Sequence, residues 1–194
     1  TVRTRPADLG ILIAEGFRQA SGAEVAILNG GSIRIDDVIS AGPFTEYDAI
    51  RVLPFGGEVL SVQMTGATLV RALDQGLANA GTGGYLQTAG LARTADGTWT
   101  ASGTPIDPAR TYLVGVNDFL VSGRESGLGF LDVSGPDLTE VGRHGDVRRA
   151  LNNQLIFTRT QREDGRIANV VFCGQVHSCH ATVCLPNGTL PPTN

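Results

Sequence analysis

The chain has 194 residues, 15 of them basic against 19 acidic, for a net charge of −4, and 41% of them are hydrophobic, which is enough for one sizeable core and makes one domain plus a tail the expectation. The absence of any Lys/Arg-rich block sets aside a nucleic-acid polymer as partner, no apolar run reaches the length of a membrane span, and "TVRTRPADLG" lacks the apolar core of a signal peptide. Every basic residue is an arginine, so any phosphate or carboxylate this chain holds must be met by guanidinium.

In chain order, Leu9, Leu12, Ile13, Gly16 and Phe17 recur at offsets of three and four, which predicts an amphipathic helix ending at Gly22. "EVAILNG" is a short apolar run closed by Asn-Gly and reads as a buried strand that stops at a glycine loop. "EVLSVQMTG" reads as a strand, after which Thr65 caps a helix carrying Leu69, Leu73 and Leu77. Further strands are expected in "GYLQTAGLARTADG", "TYLVGVNDFLV" and "RIANVVFCG", and a short helix over Val147, Leu151 and Leu155. This mixture predicts an α+β fold, a compact mixed sheet with packed helices. Residues 1–171 form the expected domain and 172–194 a loose tail that holds all three cysteines, Cys173, Cys179 and Cys184. With His177 and His180 beside them, a zinc site, a disulfide with one thiol left over, and free thiols all stay open.

Two glycine-rich stretches carry the chemistry. Asn29-Gly30-Gly31 at a strand end offers main-chain N–H groups free of Cβ crowding and an amide that both donates and accepts, with Arg34 close by. Taken alone, a glycine turn beside an exposed arginine is the leading reading of this stretch. Phe55, between Pro54 and Gly56, has little regular structure to pack inside; a ring held on such a loop is either ordinary core or a stacking platform for a base.

Taken together, "ILNGGSIR", "GPFTEYDAIRVLPFGGEVLSVQMTGATLVRALDQG", "GGYLQTAGL" and "YLVGVNDFLVSG", in this order over residues 4–132, resemble the C-terminal domain of the 5'-nucleotidase family. The resemblance implies a compact α+β unit that grips the nucleoside part of a nucleotide. A separate N-terminal metallophosphoesterase domain, absent from this chain, would hold two divalent metal ions and hydrolyse the phosphate ester. It implies that Asn29 and Arg34 contact ribose or phosphate oxygens, that Gly31 belongs to the same substrate-binding set, and that Phe55 forms one face of a clamp on the base. The second face falls to Phe130, with Phe119 as the alternative, because "NDFLVSGRESGLGF" inserts Arg-Glu-Ser and carries Gly-Leu-Gly-Phe in place of the family's Gly-Gly-Asp-Gly-Phe. Asp132 or Asp137 would meet the ribose, and Arg5, more than Arg3, would supply a second guanidinium. It also implies a secreted, periplasmic or envelope location. The same motifs suit a 2',3'-cyclic nucleotide phosphodiesterase or a UDP-sugar hydrolase, and a stand-alone nucleoside-binding module is the alternative outside enzymes. A two-metal phosphatase centre needs clustered carboxylates and imidazoles. The three histidines, His144, His177 and His180, stand in none of the family's metal-ligand arrangements, so the chain is expected to hold no metal and to be inert alone.

Overall fold

The computed structural model describes residues 2–35 and 44–157. Its centre is a five-stranded sheet of order β3-β1-β7-β2-β8, built from β1 (Val25–Asn29), β2 (Glu58–Thr65), β3 (Leu86–Ala89), β7 (Thr111–Asn117) and β8 (Thr139–Asp146). β1 and β7 run parallel; every other neighbouring pair in this sheet is antiparallel. A small second sheet joins β4 (Leu91–Arg93), β5 (Trp99–Ala101) and β6 (Thr104–Pro105). The α+β mixed-sheet expectation holds, and the predicted segment "RIANVVFCG" and the cysteine tail lie outside the described residues.

The period of two along each strand divides the apolar side chains between two cores. Val25 and Ile27 of β1, Leu60, Val62 and Met64 of β2 and Tyr112, Val114 and Val116 of β7 share one core with Leu69 and Leu73 of α3 (Gly66–Ala78). Ala26, Leu28 and Val59 join the other core, made with Ile13 and Phe17 of α1 (Asp8–Ser21) and Val147 and Leu151 of α4 (Val147–Phe157). Covered on both faces, β1 is buried along its whole length, as its unbroken apolar run requires. Burying a ring or branched aliphatic chain contributes roughly 1.5–3 kcal/mol each, and both Ile13 and Phe17 of α1 are fully buried.

The ends of these elements follow the local rules. α1 stops where Gly22 takes the left-handed conformation at φ 63°. Thr65 accepts the Thr68 N–H at 3.2 Å and starts α3 as expected. α2 (Glu46–Val52) opens on a reciprocal Thr45–Asp48 capping box. The strand expected through "TYLVGVNDFLV" ends sooner, at Asn117, and residues 118–121 form a turn.

Candidate functional site

Three strand ends converge at one margin of the sheet. β1 and β7 are parallel neighbours, so their carboxyl ends, Asn29 and Asn117, lie side by side; antiparallel β2 begins next to them, with Val59 opposite Asn117 and the Asp118 N–H donating to Glu58 O at 3.0 Å. In open, mostly parallel α/β sheets ligands bind in the crevice outside the carboxyl ends of the strands, and the one parallel pair here, β1 and β7, forms such a crevice. Here it is a cleft of about 640 Å³, lined among others by Asn29, Gly31, Phe55, Asn117, Phe119 and Glu125.

Its floor is a buried amide network. Asn29, 2% exposed, accepts from Ser32 Oγ at 2.6 Å and from Asn117 Nδ2 at 3.2 Å, and donates through Nδ2 to Glu125 Oε2 at 2.7 Å. Asn117 is 4% exposed, and its Nδ2 also donates to Ser32 Oγ at 3.3 Å. Its Oδ1 is buried without a protein partner. Buried polar atoms are nearly always paired, so an orphan acceptor beside a cleft marks a place for a donor arriving with a ligand or solvent.

The walls are aromatic. Phe55 is 70% exposed and Phe119 38%, and both line the cleft. Each has an arginine over its ring: the Arg34 guanidinium carbon lies 5.5 Å from the Phe55 centroid, and that of Arg124 lies 5.4 Å from the Phe119 centroid. Leu120 and Val121 sink fully into the core behind the turn, which leaves Phe119 facing outward. Asp118 Oδ1 accepts the Phe119 N–H at 2.7 Å and fixes the start of that turn.

Of the residues singled out from sequence, the structure brings together Asn29, Gly31 and Phe55, with Arg34 against the Phe55 ring. Phe130 is not among the residues that line the cleft. Leu128 and Leu131 are fully buried on either side of it and draw its ring onto the α3 core, where the Arg71 guanidinium carbon stands 3.7 Å from its centroid. The second aromatic wall is the alternative, Phe119. Asp132 serves its own turn: its Oδ1 accepts from Ser134 Oγ at 2.7 Å and Ser134 N–H at 2.8 Å, bonds that hold its carboxyl below the usual carboxylate range. The carboxylates in the cleft are instead Asp118 and Glu125. Neither Asp132 nor the exposed Asp137 lines it, and the exposed Arg5 is placed by its main-chain carbonyl, which accepts from Gln87 Nε2 at 2.9 Å. Sequence reasoning passed over Asn117, Arg124 and Glu125. The one signal for the last two was the inserted Arg-Glu-Ser, which read as a disturbance of the pattern.

Among the described residues no three His, Cys, Asp or Glu side chains are grouped to hold an ion. Nor is any helix among them long and apolar enough to cross a membrane.

The mixed α+β fold is shared with solved 5'-nucleotidase structures. The chain belongs to the 5'-nucleotidase family: residues 1–131 match the model of the 5'-nucleotidase, C-terminal domain. It is 33% identical to the trifunctional nucleotide phosphoesterase protein YfkN of Bacillus subtilis over 84% of this chain and 13% of that protein. To Protein UshA of Escherichia coli it is 32% identical over 63% of this chain and 23% of the relative, so it spans only a small part of these proteins. Among solved structures, the 5'-nucleotidase precursor of Thermus thermophilus superposes with a TM-score of 0.64 at 28% identity, over 80% of this chain and 33% of that one. The Haemophilus influenzae NAD nucleotidase shares the fold, with a TM-score of 0.61 over 75% of this chain and 29% of that one.

Proposed function

We propose that this chain is the nucleotide-gripping part of a 5'-nucleotidase-type phosphohydrolase. The observation that carries the reading is that Phe55 and Phe119, from separate loops, line one cleft whose floor is the buried Asn29–Asn117 amide pair, joined to the half-buried Glu125. A cleft of about 640 Å³ is of the size that holds a nucleoside. Aromatic walls hold any base by its π-face, which favours tolerance of different bases. The carboxylates of Asp118 and Glu125 that line it suit ligand groups that donate, such as ribose hydroxyls and exocyclic amines. Two guanidiniums stand by the aromatic walls to meet the phosphate, Arg34 over the Phe55 ring and Arg124 over the Phe119 ring.

Hydrolysis is assigned to a metallophosphoesterase domain with two divalent ions elsewhere in the whole protein; this chain contributes binding and orientation. A secreted or envelope location accompanies that assignment. The name of the Bacillus relative, a trifunctional nucleotide phosphoesterase, supports a grip that serves more than one nucleotide ester. Titrating adenosine calorimetrically into the chain tests the reading. Phe55→Ala and Phe119→Ala should each weaken binding by about 1–3 kcal/mol, the value of one stacked base, and Phe130→Ala should leave it nearly unchanged. Affinity indifferent to both cleft rings would refute the clamp.

A further inference from the structure

The loop that carries Phe55 has no regular structure of its own. Leu53 to Gly57 link α2 to β2, and within the loop the Gly56 N–H reaches Leu53 O at 3.3 Å. Phe55 itself is 70% exposed, so core packing does not set its pose. The loop is held from outside, by the first turn of α4. Arg148 Nε donates to Leu53 O at 2.9 Å and Nη2 to Pro54 O at 2.9 Å, while the Val147 N–H donates to Gly57 O at 3.1 Å. The guanidinium lies close beneath the turn: a Cβ at Gly56 would stand 3.3 Å from Arg148 Nη2.

The clip is anchored in its turn. The Arg148 N–H donates to Asp146 Oδ1 at 2.7 Å, and α4 is pressed on α1 so closely that a Cβ at Gly16 would come within 2.9 Å of Ala150 O. The pose of the ring is thus tied to the α1–α4 layer and not only to the strand that follows it. Residues 147 and 148 also lie beyond the stretch matched to the family model.

We infer that Arg148 is a positioning residue for the cleft, which fixes Phe55 for stacking by gripping the two carbonyls before it. The inference rests on the nucleoside reading above. A planar guanidinium presents two donors to two carbonyls from one side chain, whereas a lysine ammonium is a single point donor on a flexible stem. Arg148→Lys should therefore retain part of the effect and Arg148→Ala none.

Amide hydrogen exchange of the ligand-free 194-residue chain and calorimetry with adenosine test it together. In Arg148→Ala, exchange at Gly56 and Val147 should accelerate at least about tenfold while β1 and β7 amides keep their protection. If the freed loop is competent one tenth of the time, adenosine affinity falls about tenfold, with a smaller loss in Arg148→Lys. In a Phe55→Ala background the Arg148 substitution should cost nothing further. Where Arg148→Ala disturbs the sheet amides as well, Arg148→Lys is read by the same criteria. Unchanged exchange at Gly56, or an equal affinity loss with and without Phe55, would overturn the inference. Failure of the unsubstituted chain to bind adenosine would sink the nucleoside reading instead, and exchange at Gly56 would still decide whether Arg148 holds the loop.

Discussion

Gly57 is where the two aromatic loops touch through a single residue. Its φ of +103° is strained for any L side chain, and a Cβ there would stand 2.5 Å from Asp118 Oδ1, the atom that fixes the Phe119 N–H. Gly57→Ala should therefore cost about 1–3 kcal/mol of stability by denaturant titration and weaken adenosine binding by displacing the Phe119 turn as well as the Phe55 loop. Asn117 gives a second test at this scale. Its Nδ2 donates to both Asn29 Oδ1 and Ser32 Oγ, so Asn117→Asp would replace the donor with an acceptor facing acceptors. A loss of about 1–3 kcal/mol in thermal unfolding is the expected result, and an unchanged melting temperature would show that the network tolerates inversion. The reason Phe119 and not Phe130 walls the cleft also lies at this scale. "NDFLV" and "GLGFL" both present a ring after glycine or turn residues, and spacing cannot distinguish them. Burial does: Leu120 and Val121 anchor behind Phe119 and turn it out, whereas Leu128 and Leu131 flank Phe130 and draw it in.

Among the elements, those with strong periodicity were legible. α1, β1, β2, α3 and α4 lie where the apolar stripes, Thr65 and Gly22 put them, because each buries a face against the sheet or a helix. β8 escaped notice for a physical reason: it pairs with β2 alone, alternates exposed and half-buried residues, carries Gly142 and Gly145, and shifts register twice against its partner. The short α2 is signalled by its capping box and not by a long stripe. α1 yields two predictions. Helix propensity favours alanine over glycine, yet a Cβ at Gly10 would overlap the carboxamide of Gln87, which accepts the Ala7 N–H and donates to Val2 O and Arg5 O. Gly10→Ala should thus destabilise the chain by about 1–3 kcal/mol despite the propensity gain, with the chemical denaturation midpoint as the readout. On the same helix, the hydrogen bond from Arg18 at 2.7 Å lowers the Glu15 carboxyl below its ordinary value against the opposing effect of burial. A depressed carboxylate contributes stability that is complete above its unfolded pKa and is lost as pH falls through the folded one. Both side chains are partly exposed, so the pair is worth only about 0.5 kcal/mol at neutral pH, and Glu15→Gln should lose that amount at pH 7 and almost nothing in strong acid.

For the molecule as a whole, we propose that a cleft at the carboxyl ends of β1 and β7 holds a nucleoside between rings from two loops. Topology makes that location available, since parallel β1 and β7 bring Asn29 and Asn117 level and β2 begins beside them. A sequence shows the Asn-Gly-Gly and Pro-Phe-Gly stretches but not that strand order, so Asn117 and Glu125 become legible only once the sheet is formed. In nuclear Overhauser spectra of the chain with adenosine, cross-peaks are expected from the adenine ring protons to the aromatic protons of both Phe55 and Phe119, and none to Phe130. Contacts to Phe130, or adenosine bound with no contact to either cleft ring, would contradict that proposal.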